Sequence, residues 1–370
     1  MLTHGNLLSN AESTVNAGGT TSKDVLLSWL PYSHIYARTC DQYTTIYAGS
    51  TLCLAESMDT LLVNLAEIQP TDFTSVPRFY EKVWAAVESL PLADRNTRLR
   101  QIFGPRIRRL SSGGAPLPRH VAEGFFAAGL NLLEGYGLTE SSPVISFNRP
   151  NRSKIGTVGL AIADVEIKIA VDGEILSKGP HIMKGYWKDP NATAETIIDG
   201  WLHTGDVGQL DSDGFLTITD RKKDLIITSG GKNIAPSELE RLLVTDPYID
   251  QAVVYGDRRP FVVALIVPNF ALIADKAREL GCTLEVSDDL ICVEPICKFL
   301  NTRVAEIMQN VSKPERVKEV LLLGRPLQVD ADELTATHKI RRRHLLSKFE
   351  TALNAFYERA DASKNLQSDL

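Results

Sequence analysis

Residues 106–140 read RIRRLSSGGAPLPRHVAEGFFAAGLNLLEGYGLTE. Arg106–Leu110 reads as a strand, and the paired glycines of Ser111-Ser112-Gly113-Gly114-Ala115-Pro116 turn the chain out of it. Pro118 then opens a helix over Pro118–Ala128, and Leu130–Leu133 reads as a second strand that runs into the glycine-rich turn Gly135-Tyr136-Gly137-Leu138-Thr139-Glu140. Strand, turn, helix, strand in this order is the unit of an α/β protein, and two glycine-rich loops at neighbouring strand ends fit the rule that ligands sit beyond the carboxyl ends of strands.

The alternation continues outward. Val25–Pro31, Gly49–Ala55 and Phe73–Val76 read as buried strands, and Arg78–Ser89 as a helix with Phe79, Val83 and Val87 on one face. Downstream, Val165–Ala170 and Glu174–Lys178 alternate apolar and polar residues around Val171-Asp172-Gly173, the mark of a hairpin. Short strands and turns continue to Thr219, which predicts a small β subdomain. The charged segment Asp220-Arg221-Lys222-Lys223-Asp224 reads as an exposed linker, so the expected domains are 1–221 and 222–370. Beyond it, strands at Leu225–Thr228, Gln251–Tyr255 and Phe261–Val267 and helices at Ala271–Leu280, Glu294–Val311 and Arg341–Ala360 predict an α+β domain.

The chain has 370 residues, enough for two or three domains, of which 23% are charged and 44% hydrophobic. These proportions exclude a disordered tail, a collagen-like repeat and a disulfide mini-scaffold. Forty Lys and Arg against 46 Asp and Glu give a net charge of −6, which argues against a nucleic-acid partner. Cys40, Cys53, Cys282, Cys292 and Cys297 form no C-x-x-C pair, which speaks against zinc, and scattered thiols suit a reducing cytoplasm. The longest apolar stretch, Phe261–Pro268, is far short of the roughly 20 residues that span a bilayer, and MLTHGNLLSN lacks the regions of a signal peptide. A cytoplasmic protein is expected, with peripheral contact to the inner membrane face left open.

Several segments carry chemistry. Gly113–Pro116 lets a flat or anionic ligand approach the backbone, or makes only a tight turn. In Gly135–Glu140, Tyr136 stands between Gly135 and Gly137 and can lie flat on a base, Thr139 can bond phosphate, and Glu140 can hold Mg²⁺ beside substrate phosphate; a turn with a solvated Glu reads equally well. In Trp201-Leu202-His203-Thr204-Gly205-Asp206, Asp206 can accept from both ribose hydroxyls or cap a turn, whereas Asp211–Gly214 lacks the ligand pattern of a calcium loop and reads as a hairpin turn. Arg221 can contact nucleotide oxygens or belong to a solvated charge run.

These strings together resemble the acyl-adenylate-forming superfamily, which includes fatty acyl-CoA synthetases, aryl-CoA ligases, luciferases and peptide-synthetase adenylation domains. LPYSHIYAR, SSGGAPLP, GYGLTE, GEILSKGPHIMKGYW, WLHTGDVG, DRKKDLIITSGGKNIAPSELE and LTATHKIRR occur in the family's order from Met1 to about Arg343. DGWLHTGDVGQLDSDGFLTITDRKK is similar to the fatty acyl-CoA synthetase signature, and LTATHKIRR to the ending of long-chain members. The resemblance implies a large domain of layered sheets and helices with a mobile C-terminal α+β lid. It implies that ATP, Mg²⁺ and a fatty acid give acyl-AMP and pyrophosphate, and that coenzyme A then displaces AMP.

Residue by residue, the resemblance implies that Gly113, Gly114, Ala115 and Pro116 line the adenine and that Tyr136, with Gly137 beside it, stacks on it. Thr139 would bond the α-phosphate, Glu140 hold the metal, and Asp206 hold the ribose with Arg221 beside it. Lys339 would bridge acyl carboxylate and α-phosphate, Lys223 would be the hinge, Gly230 and Gly231 would line the pantetheine tunnel, and His34 and Tyr36 would wall the acyl and thiol entry.

The family's phosphate loop ends in PKG just before a segment like MLTHGN, with which this chain starts. The expectation is therefore a chain lacking that loop and the first part of the large domain, with crippled adenylation, exposed apolar surface and a separate chain as one source of the missing part. Two further readings stand beside a long-chain ligase: a non-catalytic remnant that binds nucleotide or acyl-AMP, and an aryl-CoA ligase or an acyl-AMP ligase that loads a carrier protein.

Overall fold

The computed structural model describes residues 1–334 and 340–368. They fall into two compact units, Met1–Ile218 and Thr219–Leu370. The first is built on β1 (Val25–Ser28), β2 (Thr51–Leu54), β3 (Asp72–Ser75), β4 (Arg109–Ser112), β5 (Leu132–Gly137), β6 (Val144–Phe147) and β7 (Leu160–Ala161), in the order β2-β1-β3-β4-β5-β6-β7. The pairings from β2 through β5 are parallel, and β6 and β7 close the sheet antiparallel. Parallel neighbours need a crossover between them. Helices Pro77–Ala85 and Leu92–Phe103 make one between β3 and β4, and Arg119–Ala127 makes the next. Pro77 sits in the first turn of its helix, where its missing N–H matters least.

One face of this sheet is aromatic. Leu27, Phe73 and Leu110 point into a core with Tyr80, Phe103 and Phe125, and the Tyr80 and Phe125 rings meet edge-on at 5.6 Å. By strand alternation, the opposite face carries Ser28, Asp72, Thr74 and Arg109. That face is buried and polar: Arg109 pairs with Asp72 at 3.3 Å, and Ser28 donates to Asp41 at 2.6 Å. A second sheet follows, with β8 (Glu166–Ile169), β9 (Glu174–Lys178), β10 (Ile197–Ile198), β11 (Trp201–Leu210) and β12 (Leu216–Arg221); β8 and β9 form the expected hairpin. Asp211–Gly214 is the turn between β11 and β12, closed by the Gly214 N–H donating to the Asp211 carbonyl at 3.0 Å.

The second unit has a small pair, β13 (Ile226–Ile227) with β14 (Asn233–Ile234). Its main sheet holds β15 (Ile249–Tyr255), β16 (Val262–Pro268), β17 (Val286–Ser287), β18 (Leu290–Ile291) and β19 (Val317–Leu323), in the order β15-β16-β19-β18-β17. The two faces of β16 feed two cores. Val262, Ala264 and Ile266 pack with Leu239, Leu243, Ile273, Ile296 and Leu300, while Val263, Leu265 and Val267 pack with Leu345, Phe349, Leu353 and Tyr357. Among the described residues, no helix is long and apolar enough to cross a membrane.

Several expectations change. The Gly135–Gly137 segment is strand, not turn: Tyr136 pairs with Ser146 in an antiparallel ladder, and the turn moves on to the short helix Thr139–Ser141. Gly137 is there because the backbones nearly touch, since a Cβ on it would land 1.8 Å from the Pro143 carbonyl oxygen. The strand expected at Arg106–Leu110 lies at Arg109–Ser112, and the one at Leu225–Thr228 shrinks to Ile226–Ile227. The helix expected over Arg341–Ala360 is two, Arg342–Lys348 and Glu350–Ser368, separated by the buried, non-helical Phe349. Asp220 is buried, not an exposed linker residue: it accepts from the Ser237 N–H at 3.0 Å and hydroxyl at 3.1 Å, securing the start of helix Pro236–Leu243.

Candidate active site

The sheet of the first unit brings its candidate residues to the carboxyl ends of β3, β4 and β5. Gly113 follows β4 directly and lies against the Tyr36 ring, where a Cβ would come within 2.9 Å. The Tyr36 hydroxyl donates to the Ser75 carbonyl at 3.3 Å, so this ring bridges the ends of two adjacent strands. His34 is exposed and caps the helical segment that carries Tyr36, its Nδ1 accepting the Tyr36 N–H at 3.1 Å. Gly114, Ala115 and Pro116 are exposed and leave the backbone of this turn open.

Tyr136, on the last turn of pleat in β5, donates its hydroxyl to Asp206 Oδ2 at 2.6 Å. Asp206 is 6% exposed, and the chain leading to it is held firmly. Glu174, itself buried, accepts from the Gly205 N–H at 2.9 Å and meets His203 Nδ1 at 3.0 Å; the Thr204 hydroxyl donates to the Ile175 carbonyl at 2.7 Å. Glu140 stands one turn beyond Tyr136. Its Oε1 accepts from the Tyr186 hydroxyl at 2.9 Å, and its carbonyl accepts from the Met183 N–H at 2.8 Å. Thr139 is exposed beside it. The half-buried Glu140 carboxylate suits Mg²⁺, which takes one or two carboxylates and completes its shell with phosphate oxygens and water.

The other candidates belong to the second unit. Arg221 and Lys223 are exposed at its start. Gly230 and Gly231 form the exposed tip of the β13–β14 hairpin, closed by the Thr228 N–H donating to the Lys232 carbonyl at 3.0 Å, with Gly231 at φ +76°. Lys339 lies outside the described residues. Its flanks are fixed: Leu334 and Ile340 form an antiparallel bridge, and the Arg341 N–H donates to the Glu333 carbonyl at 2.8 Å.

Sequence reasoning missed Tyr186, Glu174 and His203 as supports. Tyr186 lies in GEILSKGPHIMKGYW and His203 in WLHTGDVG, but nothing in either string pairs Tyr186 with Glu140 or His203 with Glu174, because those contacts join segments 46 and 29 positions apart in the chain.

Two family descriptions match this chain: AMP-binding enzyme over residues 1–187, and AMP-binding enzyme C-terminal domain over residues 223–361. The chain belongs to the AMP-binding enzyme family. This AMP-binding enzyme is 34% identical over 374 residues to the long-chain-fatty-acid–CoA ligase FadD15 of Mycobacterium tuberculosis, covering 90% of this chain and 62% of that protein. It is 30% identical over 397 residues to long chain acyl-CoA synthetase 4 of Arabidopsis thaliana, covering 92% of this chain and 59% of that one. The chain thus spans about three-fifths of the length of these curated relatives. Among solved structures, it matches the o-succinylbenzoate CoA synthetase of Bacillus subtilis in complex with its acyl-adenylate intermediate, at TM-score 0.74 and 26% identity, over 93% of this chain and 65% of that one. It also matches ATP-bound MatB from Rhodopseudomonas palustris, at TM-score 0.73 and 26% identity, over 94% and 65%.

Proposed function

We propose that this chain takes part in the ATP-dependent ligation of a long-chain fatty acid to coenzyme A through an acyl-AMP intermediate. The observation that carries the nucleotide part is the Tyr136–Asp206 hydrogen bond, 2.6 Å long, at the carboxyl edge of the sheet. The long-chain preference draws on the 34% identity to the mycobacterial long-chain ligase.

In this reading Tyr136 offers a ring face to adenine over the open turn Gly113–Pro116. Asp206 accepts from the ribose hydroxyls, and its burial and the ties through Glu174 keep the carboxylate in place before nucleotide arrives. Thr139 donates to the α-phosphate. Glu140 holds Mg²⁺, oriented by Tyr186; the ion, when bound, neutralises phosphate charge. Lys339 supplies a cation between acyl carboxylate and α-phosphate, and Arg221 bonds nucleotide oxygens. Lys223 acts as the hinge between the domains 1–221 and 222–370. Gly230 and Gly231 give the pantetheine arm of coenzyme A a path without side chains, and His34 and Tyr36 wall the acyl and thiol entry. The protein's share is positioning and charge stabilisation, with no covalent enzyme intermediate.

The test is ATP–pyrophosphate exchange by the 370-residue chain with long-chain, short-chain and aryl acids, followed by thioester formation from preformed acyl-AMP with coenzyme A or a carrier protein as acceptor. Exchange with long-chain acids that is lost in Glu140→Gln supports the reading. Thioester without exchange restricts the activity to the second half-reaction. Preference for an aryl acid or a carrier protein overturns the substrate assignment, and binding of acyl-AMP without turnover makes the chain a binding module.

A further inference from the structure

Helix Glu294–Ile307 of the second unit begins with two thiols placed to meet. The segment 290–298 reads LICVEPICK, and Val293 is the helix N-cap. Cys292 therefore stands one residue before the cap, and Cys297 is the fourth residue of the helix. Side chains at these two positions meet across the first turn, where proteins ordinarily set a pair of bulky apolar residues. The first turn is closed here: the Ile296 and Cys297 N–H groups both donate to the Val293 carbonyl at 3.0 Å. Cys297 Sγ lies 3.6 Å from the carbonyl oxygen of Ile291, in the peptide that leads into Cys292. The Cys292 sulfur is near enough to act on the ionisation of Cys297.

The neighbours of both thiols are fixed. Ile291, next to Cys292, pairs with Leu322 of β19, and Ile296, next to Cys297, is buried in the same core. Neither thiol can leave the other without opening that core. Exposure divides their roles. Cys292 is exposed and open to a small oxidant. Cys297 is half-buried, and burial first, then the neighbouring Cys292, raises its thiol above the ordinary range. Thiolate character and exposure decide which cysteine is oxidised first, so Cys292 is the attacking sulfur and Cys297 the resolving one.

We propose that Cys292 and Cys297 form a modification site for hydroperoxides, a dithiol that closes to an intramolecular disulfide. The Cys292 thiolate attacks one oxygen of hydrogen peroxide, the O–O bond breaks, and hydroxide leaves with Cys292 as its sulfenic acid. The Cys297 sulfur then attacks the Cys292 sulfur, the S–O bond breaks, and water leaves as the S–S bond forms. Two thiols lose two electrons and two protons, and the peroxide becomes two waters. A thiol reductant reverses the step by exchange. The competing role for the pair is packing alone.

The test treats the folded full chain with hydrogen peroxide, unfolds it in urea, alkylates it with iodoacetamide and weighs it intact. The expected product takes up two fewer alkyl groups than its five cysteines allow, and dithiothreitol restores them. Cys282→Ser should lose the same pair. Cys292→Ser should lose none, and Cys297→Ser should instead carry added oxygen on Cys292. Fragmentation of the oxidised parent chain locates the disulfide directly, so the test stands whether or not these variants fold. Closure should be at least about tenfold faster in the folded chain than in urea, because the fold holds the sulfurs together. Full alkylation after peroxide, a disulfide that includes Cys282, or equal rates in the two states overturns the site and leaves the pair as packing.

Discussion

The Tyr136 hydroxyl and the Asp206 carboxylate are hydrogen-bonded at 2.6 Å across two different sheets of the first unit. The contact leaves the Tyr136 ring fixed and uses one carboxylate oxygen. Nucleotide affinity should therefore split unequally between the two residues. Asp206→Asn loses a charged acceptor, worth about 1.5–3 kcal/mol for bonds to charged groups, and should weaken AMP binding by roughly 10- to 150-fold. Tyr136→Phe keeps the stacking face and should cost less than about tenfold. Fluorescence titration with AMP on both variants checks this. Equal losses would mean that the hydroxyl, not the ring, is what the nucleotide uses.

Glu140 is held by Tyr186 at 2.9 Å, and this pairing predicts a metal phenotype. Glu140→Gln should raise the Mg²⁺ concentration needed for half-maximal ATP binding by at least about tenfold, because Mg²⁺ binds neutral amide oxygens poorly. Tyr186→Phe keeps the charge and loses only orientation, so its shift should be a few-fold. Magnesium titrations at saturating ATP distinguish the two, and identical shifts would place the metal elsewhere.

Asp41 and His181 give opposing pH dependences in the same window. Burial pushes Asp41 up to about 7 from 3.8, so the folded state holds a proton that the unfolded chain has released, and stability falls as pH rises from about 4 to about 7. Burial pushes His181 down to about 4 from 6.5, so it favours folding above about 6.5 and loses that stability as pH falls toward 4. The limits are roughly 4 and 3 kcal/mol, and the two largely cancel. The other groups facing Asp41 are pushed away from this window: Tyr32, Tyr36 and Tyr80 are raised by burial, as is Cys40. Urea unfolding from pH 4.5 to 7.5 should show the stability of Asp41→Asn rising with pH relative to the parent chain. Parallel curves would show that Asp41 is ionised throughout.

Much of this was legible in the sequence. The α/β architecture announced itself through short apolar runs alternating with helical patterns, and the hairpin around Gly173 through its turn residues. What the sequence hid was contact across elements. Gly135 and Gly137 looked like turn residues because glycine signals turns, yet here they allow β5 and β6 to approach closely. Val317–Leu323 was missed because Lys318 and Glu319 interrupt its apolar run, although Val320, Leu322 and Leu323 are buried on the central strand of the second unit's main sheet. Asp220 looked like a linker residue because charge runs usually are, but the cap it provides for Ser237 lies 17 positions away. Likewise, nothing local reveals that Asp41 is buried, because its partner Ser28 sits on a strand before the helix.

Glu333 anchors the base of the segment that carries Lys339. Its carboxylate is fully buried, takes both arms of the Arg325 guanidinium at 2.6 and 2.8 Å, and accepts from the Gln328 N–H at 3.0 Å and Lys348 at 3.1 Å. The Arg325 bonds chiefly hold it down to about 2 from 4.5, against the opposing effect of burial. A depressed carboxylate stabilises the fold above about 4.5, and that contribution disappears as pH falls through about 2. Glu333→Gln leaves Arg325 and Lys348 with Asp289 as their remaining acid partner, at 2.9 and 3.3 Å. The variant should lose roughly 2–4 kcal/mol, somewhat less than a wholly unpaired buried charge. Hydrogen exchange should show the loss in β16 and β19, and the variant and parent should converge as pH falls through about 2. If Leu334 and Ile340 stay bridged and protected in Glu333→Gln, the anchor is Arg341 on its own backbone, and adenylation should survive the substitution unchanged.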